Sequence, residues 1–489
     1  MKTAIKETSL LASLTSAIML TPGVMAAPVN DGVIAAYTLV TPPSESPSGL
    51  LARAILPAGA DCPTLKASFQ SGTQRIPTHV RPLPANTSPA FNQVTVCESA
   101  IPRHAVRAEI GGHPIPARMK KRVDDIAVFG DVGCRVTNWE VQDCNTVASW
   151  PLARVSQSIA NEKPDVILFL GDFFYRESAC PTGQEAACGS SPPPITGAPF
   201  TDSAYGWMAD SLMPLAPIFP VAPLVIVRGN HEACDRGGNG FFLFFDPFLD
   251  SSQTCSPAAN GNTFVAPTPA LTRTWATDLK VRPGRTLRLA MVDSAYGNDS
   301  EVTPWSVEQR VGYLEAKNLT TPQKKVESWL LVHRPIFGHL TTQYAPSGDP
   351  LWVPWVSTDQ QVASYGLLDN YNAILSSHMH LMQAVQIPGQ PGQMILGNGA
   401  TELDPSTGYD NPQFGPLANA LGNPIVPGLI PYPAATMSYT AVEFGYAMVR
   451  PGRRFSEWNW EHYTPDGATF ARCAQLGKNL ACQNAAPFQ

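Results

Sequence analysis

Seven short, mostly apolar runs recur between residues 126 and 396, and they limit the fold more than any other feature of the chain. They are Ile126 to Phe129, Val166 to Leu170, Leu224 to Val227, Leu287 to Val292, Trp329 to Val332, Ala373 to Leu375 and Met394 to Leu396. Such runs, alternating with helical or loop segments, predict buried strands in a layered α/β domain. One intervening segment, Pro151 to Ala160, places Leu152, Val155 and Ile159 at i, i+3, i+7 spacing. Pro151 suits the first turn of that predicted helix.

Most of these runs are followed at once by side chains that bind metals well. Asp131 lies in Phe129-Gly130-Asp131-Val132-Gly133, and Asp172 and Tyr175 lie in Gly171-Asp172-Phe173-Phe174-Tyr175. Asn230 follows in Gly229-Asn230-His231-Glu232, then His333 in Val332-His333-Arg334-Pro335, and His378 and His380 in Ser377-His378-Met379-His380. A carboxylate just past a strand end can bridge two cations, and Asp172 is best placed for that. Imidazoles and a carboxamide oxygen complete sites suited to zinc, iron or manganese. Two ions about 3.5–4 Å apart clamp the attacking and leaving oxygens of an in-line phosphoryl displacement. The pattern therefore points to a two-metal hydrolase.

At 489 residues and 44% hydrophobic, the chain can bury a large core and hold more than one domain. A net charge of −6 argues against nucleic acid as the main partner. Residues 1–26 read as an export signal: Lys2 and Lys6, an apolar stretch from Leu10 to Leu20, then Val24-Met25-Ala26. Cleavage there would take the charge from −6 to −7. The apolar stretch is too short to span a bilayer, and no later segment is long enough, so the mature chain is expected to lack a transmembrane segment. Ten cysteines remain, in near-neighbour pairs: Cys62/Cys97, Cys134/Cys144, Cys180/Cys188, Cys234/Cys255 and Cys473/Cys482. In an oxidising compartment the simplest reading is five local disulfides.

Residues 27–120 are proline-rich, with short β-type runs, and predict a small β-sandwich-like domain. Arg118 to Arg122 reads as a linker and is too small for a nucleic-acid patch. Residues 121–489 would form the catalytic domain, with a β-rich closing segment after about residue 440. Arg135, Arg228 and Arg334 adjoin the motifs and read as structural rather than phosphate-binding. His79, His104, His113 and His462 lie outside every motif. Asn86, Asn298 and Asn318 begin glycosylation-type tripeptides.

As a set, the series Asp-x-Gly, Gly-Asp-x-x-Tyr, Gly-Asn-His-Glu, Val-His and His-x-His resembles the calcineurin-like metallophosphoesterases. Gly133 and Tyr175 make it most similar to their purple acid phosphatase branch. The resemblance spans about residues 126–400. It implies an α/β fold, a four-layer β-sandwich flanked by helices and preceded by a small all-β domain. It also implies that Asp131, Tyr175 and His380 hold iron(III), that Asn230, His333 and His378 hold a divalent ion (Zn, Fe or Mn), and that Asp172 bridges the two. A metal-bound hydroxide would attack phosphorus, with His231 beside the leaving oxygen. His339, six residues beyond His333, loosely matches a second pocket histidine that would bind substrate. Two departures stand out: Ser377 replaces the usual glycine, and Met382 an aromatic.

These features lead to a secreted or periplasmic phosphoesterase acting on small phosphomonoesters at acidic pH. Phosphodiesterase action on nucleotide or lipid head-group substrates, and a non-catalytic scaffold using the metal domain as a platform, are the alternatives. The oligomeric state cannot be read from the sequence.

Overall fold

The three runs Ile126–Phe129, Val166–Phe169 and Leu224–Ile226 are buried at every position, as strands covered on both faces must be. In the computed structural model they pair in parallel, with Ile126 opposite Val166 and Ile167 opposite Leu224. The structure describes residues 32–82, 91–188, 202–249, 255, 271–297, 307–344, 350–354, 366–404, 411–416 and 436–485. The expected export signal and most of the loop from Pro405 to Pro433 lie outside these residues.

Antiparallel strands widen this sheet on both sides. On one side Tyr446–Pro451 pairs with Ile126–Phe129, and Glu457–Tyr463, Thr469–Leu476 and Asn479–Asn484 continue it as a meander. The stretch after residue 440 thus extends the sheet on this side. On the other side Ala35–Val40 pairs in parallel with Leu224–Ile226, followed by Leu50–Pro57 and Val94–Ala100. A second sheet runs Trp275–Arg282, Arg285–Met291, Val326–Leu331, Ala373–Ser376, Gly392–Leu396, Met382–Gln386 and Met437–Ala441.

Alternation along the strands sorts side chains into layers. Ile126, Val128, Val166 and Leu168 face Leu287, Leu289, Trp329 and Leu375 in one core shared by the two sheets. Ala127, Phe129, Ile167 and Phe169 point the other way, onto the helix Leu152–Glu162. That helix buries Leu152, Val155 and Ile159, the face expected from their spacing, each worth about 1.5–3 kcal/mol of burial. Lys163 ends it in a left-handed conformation (φ 53°), its N–H bonded to the Ala160 carbonyl. On the far side, Ala290, Leu330 and Ile374 pack on Tyr313 and Ala316 of the helix Val307–Leu319. Helix, sheet, sheet and helix make the four layers.

The N-terminal stretch divides between two partners. Leu65–Phe69, Gly72–Ile76, Arg107–Ile110 and His113–Ile115 form a four-stranded sheet of their own. The other long strands of this stretch extend the central sheet, so strand pairing as well as chain continuity through Arg118–Arg122 joins the stretch to the rest of the molecule. A buried polar latch adds to the join. Glu98 lies 2.6 Å from Arg53 and 2.9 Å from Arg81, and Arg81 also pairs with Asp246 at 3.1 Å. All five disulfides form as their spacing suggested, and no cysteine is free. Among the described residues no helix is long and apolar enough to cross a membrane.

His462, fully buried on Glu457–Tyr463 beside Cys473, carries a testable cost. Burial lowers its pKa from 6.5 to about 3. Above the unfolded value both states are neutral and this group costs folding nothing. As pH falls below it, the unfolded chain takes up a proton that the folded chain refuses, so stability drops until about pH 3. Between pH 6.5 and roughly 4.5 the loss should reach about 2–3 kcal/mol. Denaturant titrations of wild type and His462→Leu across that range check this. An identical pH dependence in the two proteins would rule it out.

Candidate metal centre

In both sheets the parallel strands end toward the same edge of the sandwich, the usual location for chemistry in open α/β sheets. Asp131 and Asp172 follow Ile126–Phe129 and Val166–Phe169, and Asn230 follows Leu224–Ile226. His333 and His378 follow Val326–Leu331 and Ala373–Ser376 in the second sheet. Asp131, Asp172 and His378 adopt left-handed backbone conformations (φ 55°, 60° and 71°), which turn the chain sharply at each strand end. Such conformations in non-glycine residues cost energy and cluster at functional sites.

Two donor clusters result, and they meet at Asp172. In the first, Tyr175 Oη lies 3.0 Å from Asp131 Oδ1, 2.7 Å from Asp172 Oδ2 and 2.8 Å from His380 Nε2. In the second, His333 Nε2 lies 2.8 Å from Asn230 Oδ1 and 3.1 Å from Asp172 Oδ2. Donor atoms of Asp172, His333 and His378 all fall within 4.8 Å of one another. All seven expected ligands are thus brought to one place.

Close backbone approach makes this possible at two glycines. A Cβ on Gly133 would sit 2.7 Å from Tyr175 N and 2.8 Å from its ring, so the phenol reaches the site only because residue 133 lacks a side chain. A Cβ on Gly229 would sit 2.0 Å from Asp172 Oδ1.

Buried partners fix several of these side chains. His333 Nδ1 donates to the Leu170 carbonyl at 2.8 Å, which turns Nε2 inward. Ser377 also donates to Leu170 O and lies 2.9 Å from the same Nδ1, so the residue that departs from the expected glycine braces His333. His380 Nδ1 donates to Glu402 O at 2.7 Å, leaving Nε2 toward Asp131. Two carboxylates that sequence reasoning gave no role hold the backbone. Glu232 accepts from the N–H groups of Asp172, Phe173, Phe174 and Gly229. Asp210 accepts from Cys134, Tyr175 and Arg176. Glu232 closes the Gly-Asn-His-Glu motif, whereas no local pattern marks Asp210.

The electrostatics suit cations. Burial alone would raise the Asp172 carboxyl, yet His333, His231 and His378 hold it well below the usual carboxylate range. Burial and the charges of Asp172 and Asp131 push the Tyr175 phenol well above its ordinary value. A phenolic oxygen wedged between two carboxylates and an imidazole needs a positive centre to ionise. That is the donor chemistry of a hard or borderline metal site, and the residues fit one.

His231 lies at the rim, its side chain 13% exposed and its ring stacked on Tyr175 with centroids 3.7 Å apart. Its backbone N–H donates to Asp172 Oδ1 at 2.9 Å. Its Nδ1 is 2.6 Å from Glu177 Oε1, off the line of a straight hydrogen bond. Burial lowers its pKa to about 4, against the pull of Asp172.

The arginines divide. Arg228 is structural, buried against Asp293 and the Glu232 carbonyl. Arg135 and Arg334 instead reach the donor clusters, 3.1 Å from His380 Nδ1 and 3.2 Å from His378 Nε2. His339 is buried, and its backbone N–H donates to Gln383 Oε1. Its ring meets the same side chain, three residues beyond His380.

The sequence profile of the calcineurin-like phosphoesterase family matches residues 125–382. Among solved structures, the chain is similar to the purple acid phosphatase PPD1 from yellow lupin (Lupinus luteus) seeds. Identity is 11%, over 92% of this chain and 74% of that one, with a TM-score of 0.51. It is also similar to PhoD, at 12% identity over 96% of this chain and 94% of that one, with a TM-score of 0.53. At such identities the likeness is one of fold. No curated protein sequence matches the chain.

Proposed function

Because this chain belongs to the calcineurin-like phosphoesterases, phosphoric ester hydrolases with a dinuclear metal centre, we propose that it is an exported, acid phosphatase-like phosphomonoesterase. The observation that carries this reading is the pair of donor clusters sharing one carboxylate, Asp172. Asp131, Tyr175 and His380 would hold iron(III), and Asn230, His333 and His378 a divalent zinc, iron or manganese ion. When bound, such a pair supplies Lewis acidity to the phosphoryl oxygens and lowers the pKa of water.

The rest falls to the chain's own groups. His231 faces the rim with Nε2 on the Asp172 side, and the carboxylates of Asp172 and Glu177 offset only part of the burial that lowers its pKa to about 4, so its protonated form is populated only at acidic pH. A proton held at Nε2 can pass to the leaving-group oxygen. Arg135 and Arg334, beside two of the ligand histidines, add positive charge where a phosphoryl group would approach. Export is supported by five disulfides, which persist in oxidising compartments.

The test is metal content, visible spectrum and turnover of a phosphomonoester and a phosphodiester across pH. About two metals per chain, a tyrosinate–iron band and faster monoester turnover at acidic pH are expected. Tyr175→Phe should abolish the band and slow turnover by about 10–100-fold, since the remaining ligands stay in place. Turnover without a band in wild type would remove the iron–tyrosinate centre and keep the phosphoesterase. Faster diester turnover would favour nucleotide or head-group substrates.

A further inference from the structure

We propose that the end of the sandwich opposite the metal centre is a docking face for an anionic lipid surface. Strand polarity defines that end. The ligands follow the carboxyl ends of the parallel strands, so the segments that precede those strands lie together at the other edge. Arg118, Lys120, Lys121 and Arg122 precede Ile126–Phe129, and Lys163 precedes Val166–Phe169. Lys324 and Lys325 precede Val326–Leu331, beside the Arg282–Arg285 turn. Tyr446–Pro451 runs antiparallel to Ile126–Phe129, so the turn after it brings Arg453, Arg454 and Phe455 to the same edge.

These segments touch one another. Arg282 donates to the Pro451 carbonyl at 2.8 Å and Arg285 to the Arg454 carbonyl at 3.1 Å. Val123 N–H donates to Lys280 O, and Gly477 N–H to Ser456 O. Across residues 118–125, 163–165, 280–285, 324–325, 451–457 and 477–478 there are thirteen Lys and Arg against four Asp and Glu. The whole chain has 33 against 39, so these segments carry an excess of cations while the rest of the chain carries an excess of acids. Some of this positive charge is answered locally, by Asp124 at Arg122, Asp165 at Lys120, Glu327 at Arg285 and Glu457 at Arg454. Lys121, Lys163, Lys324 and Arg453 are exposed and have no ion pair among the described residues. Two clefts open here, one of about 630 Å³ bordered by Lys66, Arg107 and Arg118 and one of about 510 Å³ bordered by Arg282, Arg453 and Arg454.

Apolar side chains at the same rim select the partner. Phe455 is 51% exposed, Leu476 39% and Leu319, at the end of the helix Val307–Leu319, 41%. A nucleic-acid backbone would reward the cations but not these residues, whereas a bilayer interface takes up both. Docked this way, the protein would turn its metal centre toward water, at least roughly 15–20 Å from the lipid given the strand lengths.

The experiment is co-sedimentation of the full mature chain with vesicles of phosphatidylcholine alone and of a phosphatidylcholine–phosphatidylglycerol mixture, at low and high salt. Binding only to the anionic vesicles, weakened by salt, is expected. The combined variant Lys324→Glu, Lys325→Glu, Arg453→Glu should weaken it at least about tenfold, while the thermal midpoint and hydrolysis of a soluble phosphoester stay unchanged. Equal binding to both vesicle types, or anionic binding that survives charge reversal, would overturn the proposal. Retention of duplex DNA without vesicle binding would overturn it too.

Discussion

Asp172→Asn should reduce phosphoester hydrolysis on the order of 10³-fold or more and leave the protein with fewer than two bound metals, although the fold survives. Asp172 is the residue common to both donor clusters, within 2.7 Å of Tyr175 Oη and 3.1 Å of His333 Nε2. Asparagine has the same shape, tolerates the left-handed conformation at φ 60° and keeps a carbonyl oxygen for the His231 N–H. It lacks the negative charge that offsets several buried imidazoles and would be shared by two cations. Metal analysis with steady-state kinetics checks this, and circular dichroism confirms folding. A variant with two metals and near-normal turnover would remove Asp172 from the bridging position and undercut the reading of the whole centre.

The positions of these donor side chains were legible because the chain writes them locally. Each strand is a short apolar run, and each donor side chain sits within a few residues of its end, so Asp131, Asp172, Asn230, His333 and His378 could be found without knowing how the strands pair. Gly133 was legible as a motif letter, and the structure supplies its physical reason in the space the Tyr175 ring needs. The features that escaped sequence reasoning are held by long-range contacts. Asp210 supports the Tyr175 backbone from 35 residues away. The N-terminal strands gave no sign that Leu39 would lie opposite Leu224. His339 was matched on its distance along the chain from His333, and such spacing does not fix a direction in space; its described hydrogen bonds run to Gln383. The basic end was hidden for the same reason, because its charges are spread over six segments that only the topology brings together.

The latch between the N-terminal strands and the central sheet carries the largest expected effect on stability. Glu98→Ala should lower the folding free energy by about 3–5 kcal/mol, because it removes the carboxylate facing two guanidinium groups at an almost dry site. Arg53 and Arg81 are 0% and 1% exposed, and both contact Glu98 within 3.0 Å. They also bind the segment beyond the Gly-Asn-His-Glu motif: Arg53 donates to Phe244 O and Asp246 O, and Arg81 to Phe242 O and Phe248 O. Without Glu98, the Asp246 carboxylate would still pair with Arg81 while the described contacts of Arg53 would be to backbone carbonyls, and neither cation could reach water without opening the join. Glu98→Gln separates charge from shape, since its amide oxygen still accepts a hydrogen bond but brings no negative charge. Its loss should be similar if the charge matters most and much smaller if geometry does. Urea titrations at neutral pH, followed by tryptophan fluorescence, give the comparison. An alanine variant within about 1 kcal/mol of wild type would mean that the two arginines are solvated or re-paired in the folded protein, and the latch would then be packing rather than electrostatics.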